Sequence, residues 1–507
     1  MNNTKKTLKN SLISVLAEVI ILLLNFINRK LFIMFLDIEF LGCQTIFGNV
    51  FGLLSVAEFG VGNIISIHLY KEIITNNQEN IVKLMNFYKW FYRVVALFIM
   101  LTGSSCYPIL PYLVKNSSIS WSYLNLIYFL QLSSIVIGYF LSYKRTLYIV
   151  TQREYKCVEI DLYVNAVVQI LQFIFLALTR SYILYLFLQL SRTIIANIII
   201  AKKTNKEFPF LKKKYILSKK EIQEKNIFSD LKNFLIHRIS YMIYGSTDNI
   251  IISIFCGVKS VALYGNYVLI QSSVMQIFFY KLLNPIQATI GNILYSNRDK
   301  DELWKQFKIL DVFSFFFASY ISLGFLNFYQ PFIELWLGAE FLLPYSFVVI
   351  FSVLIYFGAV FEIIYKYRSV LGDYKQDRWF MILSAVMNIT VSIIGAKYLG
   401  ITGVLVGTVF AYIPIVIGRV RFVVTNYFHK SAKQYLLSHF RLFLLFCVEG
   451  MLFYLLSNAV SISIRGILIR LVLWVCLPLI ISLPFFIKNK YFLELIMIFK
   501  TISSNKL

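Results

Sequence analysis

Long apolar stretches separated by short polar segments run through nearly the whole chain. About fourteen of them are long enough to cross a bilayer core of about 30 Å as a helix of about 20 residues. The predicted spans are 11–36, 41–69, 91–114, 122–141, 160–179, 181–201, 234–256, 261–293, 309–330, 344–365, 379–397, 401–424, 441–459 and 464–487. Since a backbone inside lipid must satisfy its own hydrogen bonds, this pattern predicts an all-α polytopic membrane protein.

Composition and charge agree with this prediction and give the chain an orientation. Hydrophobic residues make up 59% of the 507 positions and charged residues only 15%, which excludes an ordinary soluble domain. Most of the 49 Lys and Arg fall in the connections on one side of the membrane. Because cytoplasmic loops carry the excess of basic residues, both termini are predicted to be cytoplasmic.

The net charge of +24 needs no nucleic-acid partner to explain it. The basic residues are spread over many short loops instead of forming one dense patch, so nucleic-acid binding is not predicted. Topology together with attraction to anionic lipids of the inner leaflet accounts for the charge.

The longest inner connection divides the predicted spans into two groups. We predict four regions: an N-terminal six-helix bundle (1–201), a basic cytoplasmic linker (202–233), a C-terminal six-helix bundle (234–424), and two additional spans with a cytoplasmic tail (425–507). The string Phe47-Gly48-Asn49 in span 2 matches Tyr264-Gly265-Asn266 in span 8, although a three-residue match also arises by chance. Because six spans return the chain to the same side, the bundles would be related by a pseudo-two-fold axis along the membrane normal, with a cavity between them.

Small residues and cysteines carry less information. Glycines four residues apart predict close helix packing at two places, Gly48 with Gly52 and Gly403 with Gly407. The six cysteines are scattered and predict neither a disulfide framework nor a metal site. The four histidines form no metal-ligand spacing, and no nucleotide-binding loop or nucleophile motif occurs. We therefore predict a protein without cofactor or enzymatic activity, in which uphill work would depend on an ion gradient or on substrate supply.

A few charged residues inside spans are the main functional signal. Each costs at least about 2.5 kcal/mol at a helix centre unless it faces a cavity or a partner. The predicted cavity cations are Arg29, Arg192, Arg238 and Lys281. Guanidinium and ammonium groups suit an anionic head group, because they donate charge-assisted hydrogen bonds to phosphate oxygens. The alternative is that some of these cations snorkel to the interface or form structural ion pairs, which we predict for Lys30 and Arg470.

Two carboxylates in spans are candidates for ion coupling. Asp248 in span 7 and Glu58 in span 2 could bind and release H⁺ or Na⁺ during transport. A purely structural ion pair with Arg29 or Arg238 is an equal alternative for Asp248.

Five segments together resemble a known family of transporters. They are FINRKLFI around Arg29, FLGCQTIFGNVFGLLSVAEFGVG (40–62), STDNIIISIFCGVKSVALYGNY (246–267), IGNILYS (290–296) and LGITGVLVGT (399–408). Their order along the chain resembles the polysaccharide-transport branch of the multidrug/oligosaccharidyl-lipid/polysaccharide (MOP) exporter superfamily, the Wzx-type flippases. In this resemblance Arg29 falls at the basic position of the first span and Asp248 at the acidic position of the seventh.

The resemblance implies a function in the cell envelope. Such a protein flips undecaprenyl-pyrophosphate-linked oligosaccharide units of capsule, O-antigen or teichoic-type polysaccharide across the bacterial inner membrane by alternating access. A polysaccharide polymerase and a chain-length regulator would be its partners. Two relatives remain as alternatives: an ion-coupled multidrug antiporter, for which the cavity is unusually cationic, and a lipid II flippase, which shares the cationic cavity.

Overall fold

The computed structural model describes residues 3–58, 61–114, 117–213, 215, 217, 221, 247–276, 290, 299–371, 378–460 and 464–504. All regular secondary structure in these ranges is helical. Eight helices among the described residues are long and apolar enough to cross a membrane, and a ninth span is formed if one bent helix pair is counted. The chain is therefore an all-α, multi-pass membrane protein, as predicted.

The chain forms two compact units, Met1–Gly265 and Asn266–Leu507. The predicted linker 202–233 lies partly outside the described residues, so the predicted domain limits stay predictions. The two units are described separately below.

The N-terminal unit is built from helices that pack side by side. They are α1 (Asn3–Phe35), α2 (Ile38–Leu54), α3 (Val61–Ile74), α4 (Gln78–Ser105), α5 (Leu110–Leu113), α6 (Trp121–Ser142), α7 (Arg145–Val150), α8 (Tyr155–Thr179), α9 (Tyr182–Glu207) and α10 (Thr247–Cys256). The next helix is α11 (Val258–Val274), of which the part up to Gly265 belongs to this unit. Helix α8 packs between α1 and α9, while α6 contacts both α4 and α9. Helices α8 and α9 are joined by a tight turn in which Arg180 has a φ of 52°.

The predicted second span, 41–69, is not one continuous helix. Helix α2 ends at Leu54, and a 3₁₀ turn, Ser55–Glu58, precedes the start of α3 at Val61. The Ser55 hydroxyl donates to the Phe51 carbonyl over 2.8 Å. Such a bond back to the preceding helical turn favours a bend. The break places Glu58 at the end of a short turn instead of within a regular helix.

The C-terminal unit is organised around one long helix. Its helices are α12 (Lys300–Trp336), α13 (Tyr345–Val360), α14 (Glu362–Leu371), α15 (Arg378–Val420), α16 (Ala432–Asn458), α17 (Ile464–Phe486) and α18 (Lys490–Ser504). Helix α12 contacts α13, α16, α17 and α18. Helices α13 and α14 together form the bent pair, with an angle of 41° between them.

Helix α15 folds back on itself at Gly400, whose backbone (φ 57°, ψ −136°) is not helical. A straight helix of its 43 residues would be about 65 Å long, twice the thickness of a bilayer core. The two halves are joined in antiparallel order: the Ser392 hydroxyl donates to the Val404 carbonyl, Asn388 Nδ2 donates to the Thr408 hydroxyl, and the Ser384 hydroxyl donates to the Ala411 carbonyl. The two halves therefore correspond to the separately predicted spans 379–397 and 401–424.

Candidate functional site

Arg29 of α1 is half-buried within the N-terminal unit, whereas its neighbour Lys30 is exposed. The Arg29 guanidinium lies against α11, because a Cβ atom at Gly265 would stand 2.9 Å from Arg29 Nη2. The same Cβ would be 4.0 Å from the Thr45 hydroxyl of α2. Of the two adjacent cations, Arg29 is therefore the one that points into the unit, between α1, α2 and α11.

A network of amide side chains lies beside Arg29. Gln169 Nε2 on α8 donates to Asn25 Oδ1 on α1 over 3.1 Å and to Asn165 Oδ1 over 3.2 Å. Gln172, one turn further along α8, donates to the Tyr185 carbonyl over 3.1 Å. Gln169 is only 7% exposed, and its Oε1 has no hydrogen-bond partner among the described residues. A buried carbonyl oxygen of this kind is available to a ligand hydroxyl.

Arg192 and Tyr185 extend the network to α9. Arg192 Nη1 donates to Asn165 Oδ1 over 2.8 Å, which fixes the guanidinium against α8. The Tyr185 hydroxyl accepts a bond from Asn28 Nδ2 over 3.3 Å and interacts electrostatically with both Arg29 and Arg192. The structure thus brings two of the four predicted cavity cations into one polar cluster formed by α1, α8 and α9.

Asp248 borders the same region from α10. It is 7% exposed and interacts electrostatically with Tyr264, the residue next to Gly265. Arg29 and Asp248 therefore flank the same turn of α11. The other two predicted cavity cations, Arg238 and Lys281, lie outside the described residues.

Glu58, the second predicted coupling residue, occupies a separate place in the N-terminal unit. Its Oε1 accepts a hydrogen bond from the Tyr92 hydroxyl over 2.5 Å, and Tyr92 in turn accepts one from Tyr88 over 2.6 Å. Both tyrosines belong to α4 and are buried. Glu58 is thus connected to α4 by a chain of hydroxyl groups.

The buried charges of the C-terminal unit make structural contacts. Asp311 of α12 accepts bonds from Lys308 and from the Tyr435 hydroxyl of α16, each over 2.6 Å. Arg470 of α17 donates to Asn327 Oδ1 over 3.1 Å, and to the carbonyls of Ser457 and Val460 at the end of α16. Arg470 is 8% exposed and joins α12, α16 and α17 through one amide and two carbonyl oxygens, whereas snorkelling or an ion pair was predicted for it.

Sequence reasoning missed the uncharged part of the site. Asn165, Gln169 and Gln172 recur at helical spacing along one face of the apolar helix α8. A stripe of amides at positions i, i+4 and i+7 was the available signal, because polar residues inside a membrane face the protein interior or a cavity. Hydropathy alone does not distinguish this stripe from scattered polar residues.

Comparisons with known proteins identify the fold. No protein-family model matches the sequence, and no curated protein matches it. Among solved structures, the lipid II flippase MurJ in an inward closed conformation aligns with a TM-score of 0.68 and 16% identity, covering 94% of this chain and 98% of the flippase. An inward-facing multidrug resistance MATE transporter of the MOP superfamily aligns with a TM-score of 0.56 and 14% identity, covering 80% and 96%. A Vibrio cholerae MATE transporter gives 0.54 and 13%, covering 83% and 97%. The chain therefore has the fold of these transporters.

Proposed function

We propose that this protein is a MOP-superfamily flippase that moves a lipid-linked oligosaccharide from the inner to the outer leaflet of the bacterial plasma membrane. The observation that carries the proposal is the polar cluster of two arginines and several buried amides among apolar helices. Such groups are costly inside a membrane and are typical of a substrate path. The solved structures that share this fold are a flippase and multidrug transporters, which supports a transport role.

The chemistry of the cluster fits a sugar pyrophosphate. Arg29 and Arg192 would donate charge-assisted hydrogen bonds to phosphate oxygens, and Arg238 and Lys281 would add positive charge. The amides of Asn25 and Gln169 offer donors and acceptors to sugar hydroxyls. The prenyl tail would remain in the lipid phase, where burial of hydrocarbon costs nothing.

Transport would proceed by alternating access between inward-open and outward-open states. A ligand shifts such an equilibrium only through a difference in its affinity for the two states. Asp248 and Glu58 would provide the coupling to an ion gradient, since the negative charge of a carboxylate is neutralised when it binds H⁺ or Na⁺.

The fold is shared with a lipid II flippase and with MATE multidrug transporters, so our preference for a lipid-linked substrate rests on the cationic cluster and on the sequence resemblance. A polysaccharide repeat unit is our first candidate, from the sequence resemblance. Lipid II is the second, from the structural likeness. For the first candidate, a polymerase and a chain-length regulator would be the protein partners.

The experiment measures lipid-linked sugar in inverted and right-side-out vesicles from cells that contain the intact protein, Arg29→Ala or Asp248→Ala. We expect either substitution to cause lipid-linked sugar to build up in the inner leaflet at unchanged expression. Lys30→Ala is the matched control, because Lys30 carries the same charge on the next residue of α1 but is exposed.

The chemical identity of the accumulated lipid decides between the two candidate substrates. Build-up of a polysaccharide repeat unit supports the first candidate, and build-up of lipid II supports the second. If removal of the whole protein changes neither pool, the flippase proposal is wrong and small-molecule efflux becomes the better one.

A further inference from the structure

A directed chain of hydroxyl groups leads to Glu58. Tyr88 Oη donates to Tyr92 Oη, and Tyr92 Oη donates to Glu58 Oε1, over 2.6 and 2.5 Å. At the other end, the Thr146 side chain of α7 interacts with the Tyr88 hydroxyl. The two tyrosines are 3% and 6% exposed and Thr146 is 6% exposed. The chain therefore crosses protein interior between α7 and the broken second span.

The backbone of α3 leaves room for this chain. A Cβ atom at Gly62 would lie 2.7 Å from the Tyr88 hydroxyl and 3.6 Å from the Tyr92 hydroxyl. Glycine at position 62 thus lets the Tyr88 hydroxyl pass close to α3. The 3₁₀ turn Ser55–Glu58 and the missing side chain at Gly62 occur in the same short segment of the chain.

Other titratable groups surround the chain without belonging to it. The Tyr139 ring of α6 meets Tyr92 edge to face at 5.3 Å, and the ring of Tyr143, directly after α6, meets Tyr88 at 6.3 Å. Next to Thr146, Arg145 forms a bidentate ion pair with Asp161 at 2.6 and 2.8 Å. Burial, together with the charge of Lys89, lowers the pKa of Lys144 at the same turn.

We propose that Glu58 binds and releases a proton through the hydroxyl chain Thr146, Tyr88 and Tyr92, and that this proton is the coupling ion of the transport cycle. The role as coupling ion depends on the proposed function, whereas the proton path does not. Since the topology predicts α7 on the cytoplasmic face, the chain would connect Glu58 with cytoplasmic water.

The proton transfer balances along the chain. Glu58 Oε1 takes the proton of the Tyr92 hydroxyl. The Tyr92 oxygen then takes the proton of the Tyr88 hydroxyl, and the Tyr88 oxygen takes the proton of the Thr146 hydroxyl. A hydronium ion that reaches the α7 end of the chain reprotonates Thr146 and leaves as water. The net result is one proton moved from water to Glu58, with each hydroxyl restored and its hydrogen bond reversed. Release runs through the same steps in the opposite direction.

A structural role alone would need only part of this arrangement. One hydroxyl, that of Tyr92, is enough to hold the carboxylate at the helix break. The second tyrosine donates to the first, which extends the hydrogen bonds away from the break in a single direction of donation, toward Thr146 on α7. This extension is what a proton path requires and a helix cap does not.

The test is time-resolved infrared spectroscopy on the purified full-length protein in vesicles of phosphatidylethanolamine and phosphatidylglycerol. The carboxylic acid C=O band of Glu58 is followed after a pH jump within about pH 4 to pH 9. Glu58→Gln should remove this band. Tyr92→Phe and Tyr88→Phe should keep its final amplitude but slow its appearance by about tenfold or more. Tyr143→Phe, which removes a neighbouring hydroxyl outside the chain, should change neither.

Three results would overturn the inference: a band that persists in Glu58→Gln, an unchanged rate in both tyrosine variants, or loss of the equilibrium band in both. The last would mean that the tyrosines set proton affinity and not the path. Two tyrosine variants are used so that misfolding of one leaves the other as a test. Because no lipid-linked sugar is needed, failure of this experiment is distinct from failure of the flippase proposal.

Discussion

A guanidinium group inside a bilayer is stable only where protein, water or ligand accepts its five N–H donors. Arg192 meets this requirement partly through Asn165, and Arg29 is enclosed by three helices. Hydropathy predicted that these cations lie in spans. It could not choose between Arg29 and Lys30, because adjacent helical residues point in directions 100° apart and the phase of α1 depends on its neighbours.

The close approach of Gly265 to Arg29 leads to a prediction about binding. In Gly265→Ala the new methyl group would stand 2.9 Å from Nη2, and the flexible guanidinium, not the backbone, would move. We expect normal folding and flipping reduced by about tenfold in the vesicle assay, since a displacement of about 1 Å is enough to weaken a positioned contact.

Gly138→Ala in α6 is the control for this prediction, because its methyl group would meet only Thr193 at an ordinary 3.6 Å. Equal flipping by both variants would show that the position of Arg29 does not matter.

Arg470 gives a prediction about stability. Arg470→Met removes the donors to Asn327 and to two carbonyls at the end of α16, and leaves buried acceptors without partners. We expect a loss of about 1–3 kcal/mol, seen as a lower unfolding temperature in detergent. Arg465→Met, on the same helix but exposed, should have little effect. Similar unfolding temperatures for the two variants would contradict a structural role for Arg470.

At the scale of elements, the length of the apolar stretches predicted the membrane-spanning helices well but did not predict where a helix breaks. Span 309–330 falls within helix α12, and span 441–459 ends one residue beyond helix α16. The break at Ser55–Glu58 was missed, because the residues around it are as apolar as those of a continuous span. A helix break of this kind is decided by local hydrogen bonds such as that of Ser55 to Phe51, which hydropathy does not record.

The two glycine pairs that were predicted to lie at close helix contacts differ in outcome. In the α15 hairpin, a Cβ at Gly403 would stand 2.0 Å from the Gly395 carbonyl, so the predicted close packing of Gly403 and Gly407 is confirmed. At Gly48 and Gly52 a Cβ would meet none of the described residues within 4 Å, so close packing stays a prediction there. Spacing identifies which glycines share a helix face, but not whether another backbone approaches that face.

This contrast can be measured. Gly403→Ala should force the two halves of α15 apart, with a cost of about 1–3 kcal/mol and a lower unfolding temperature. Gly48→Ala should leave stability unchanged or raise it slightly, because alanine favours a helix by up to about 1 kcal/mol over glycine. Equal destabilisation by the two substitutions would argue against the hairpin packing at Gly395.

At the scale of the whole molecule, charge distribution carried the most information. The basic inner connections predicted the number of crossings and the direction of each one. Contacts divide the chain at Gly265, further along than the basic segment 202–233 that suggested a boundary. Sequence patterns locate polar loops, whereas a compact unit is defined by which helices pack together, and α10 packs with the N-terminal unit.

The predicted orientation is open to a direct test. In a background in which the six native cysteines are replaced, Lys206→Cys and Ser118→Cys each place one exposed thiol on a connection predicted to be cytoplasmic or outer, respectively. A membrane-impermeant maleimide should label Ser118→Cys in right-side-out vesicles and Lys206→Cys only in inverted ones. Labelling in the reverse pattern would refute the predicted orientation of the termini.

The turn at Gly400 also bears on how the protein is made. The two halves of α15 leave the ribosome with a single non-helical residue between them, and neither half has its Ser, Asn and Gly surface covered until the other arrives. The first half alone would expose these polar side chains, and the backbone at its glycines, to lipid. We therefore expect the insertion machinery to release the two halves into the bilayer together, so that this stretch of the chain matures in pairs of spans.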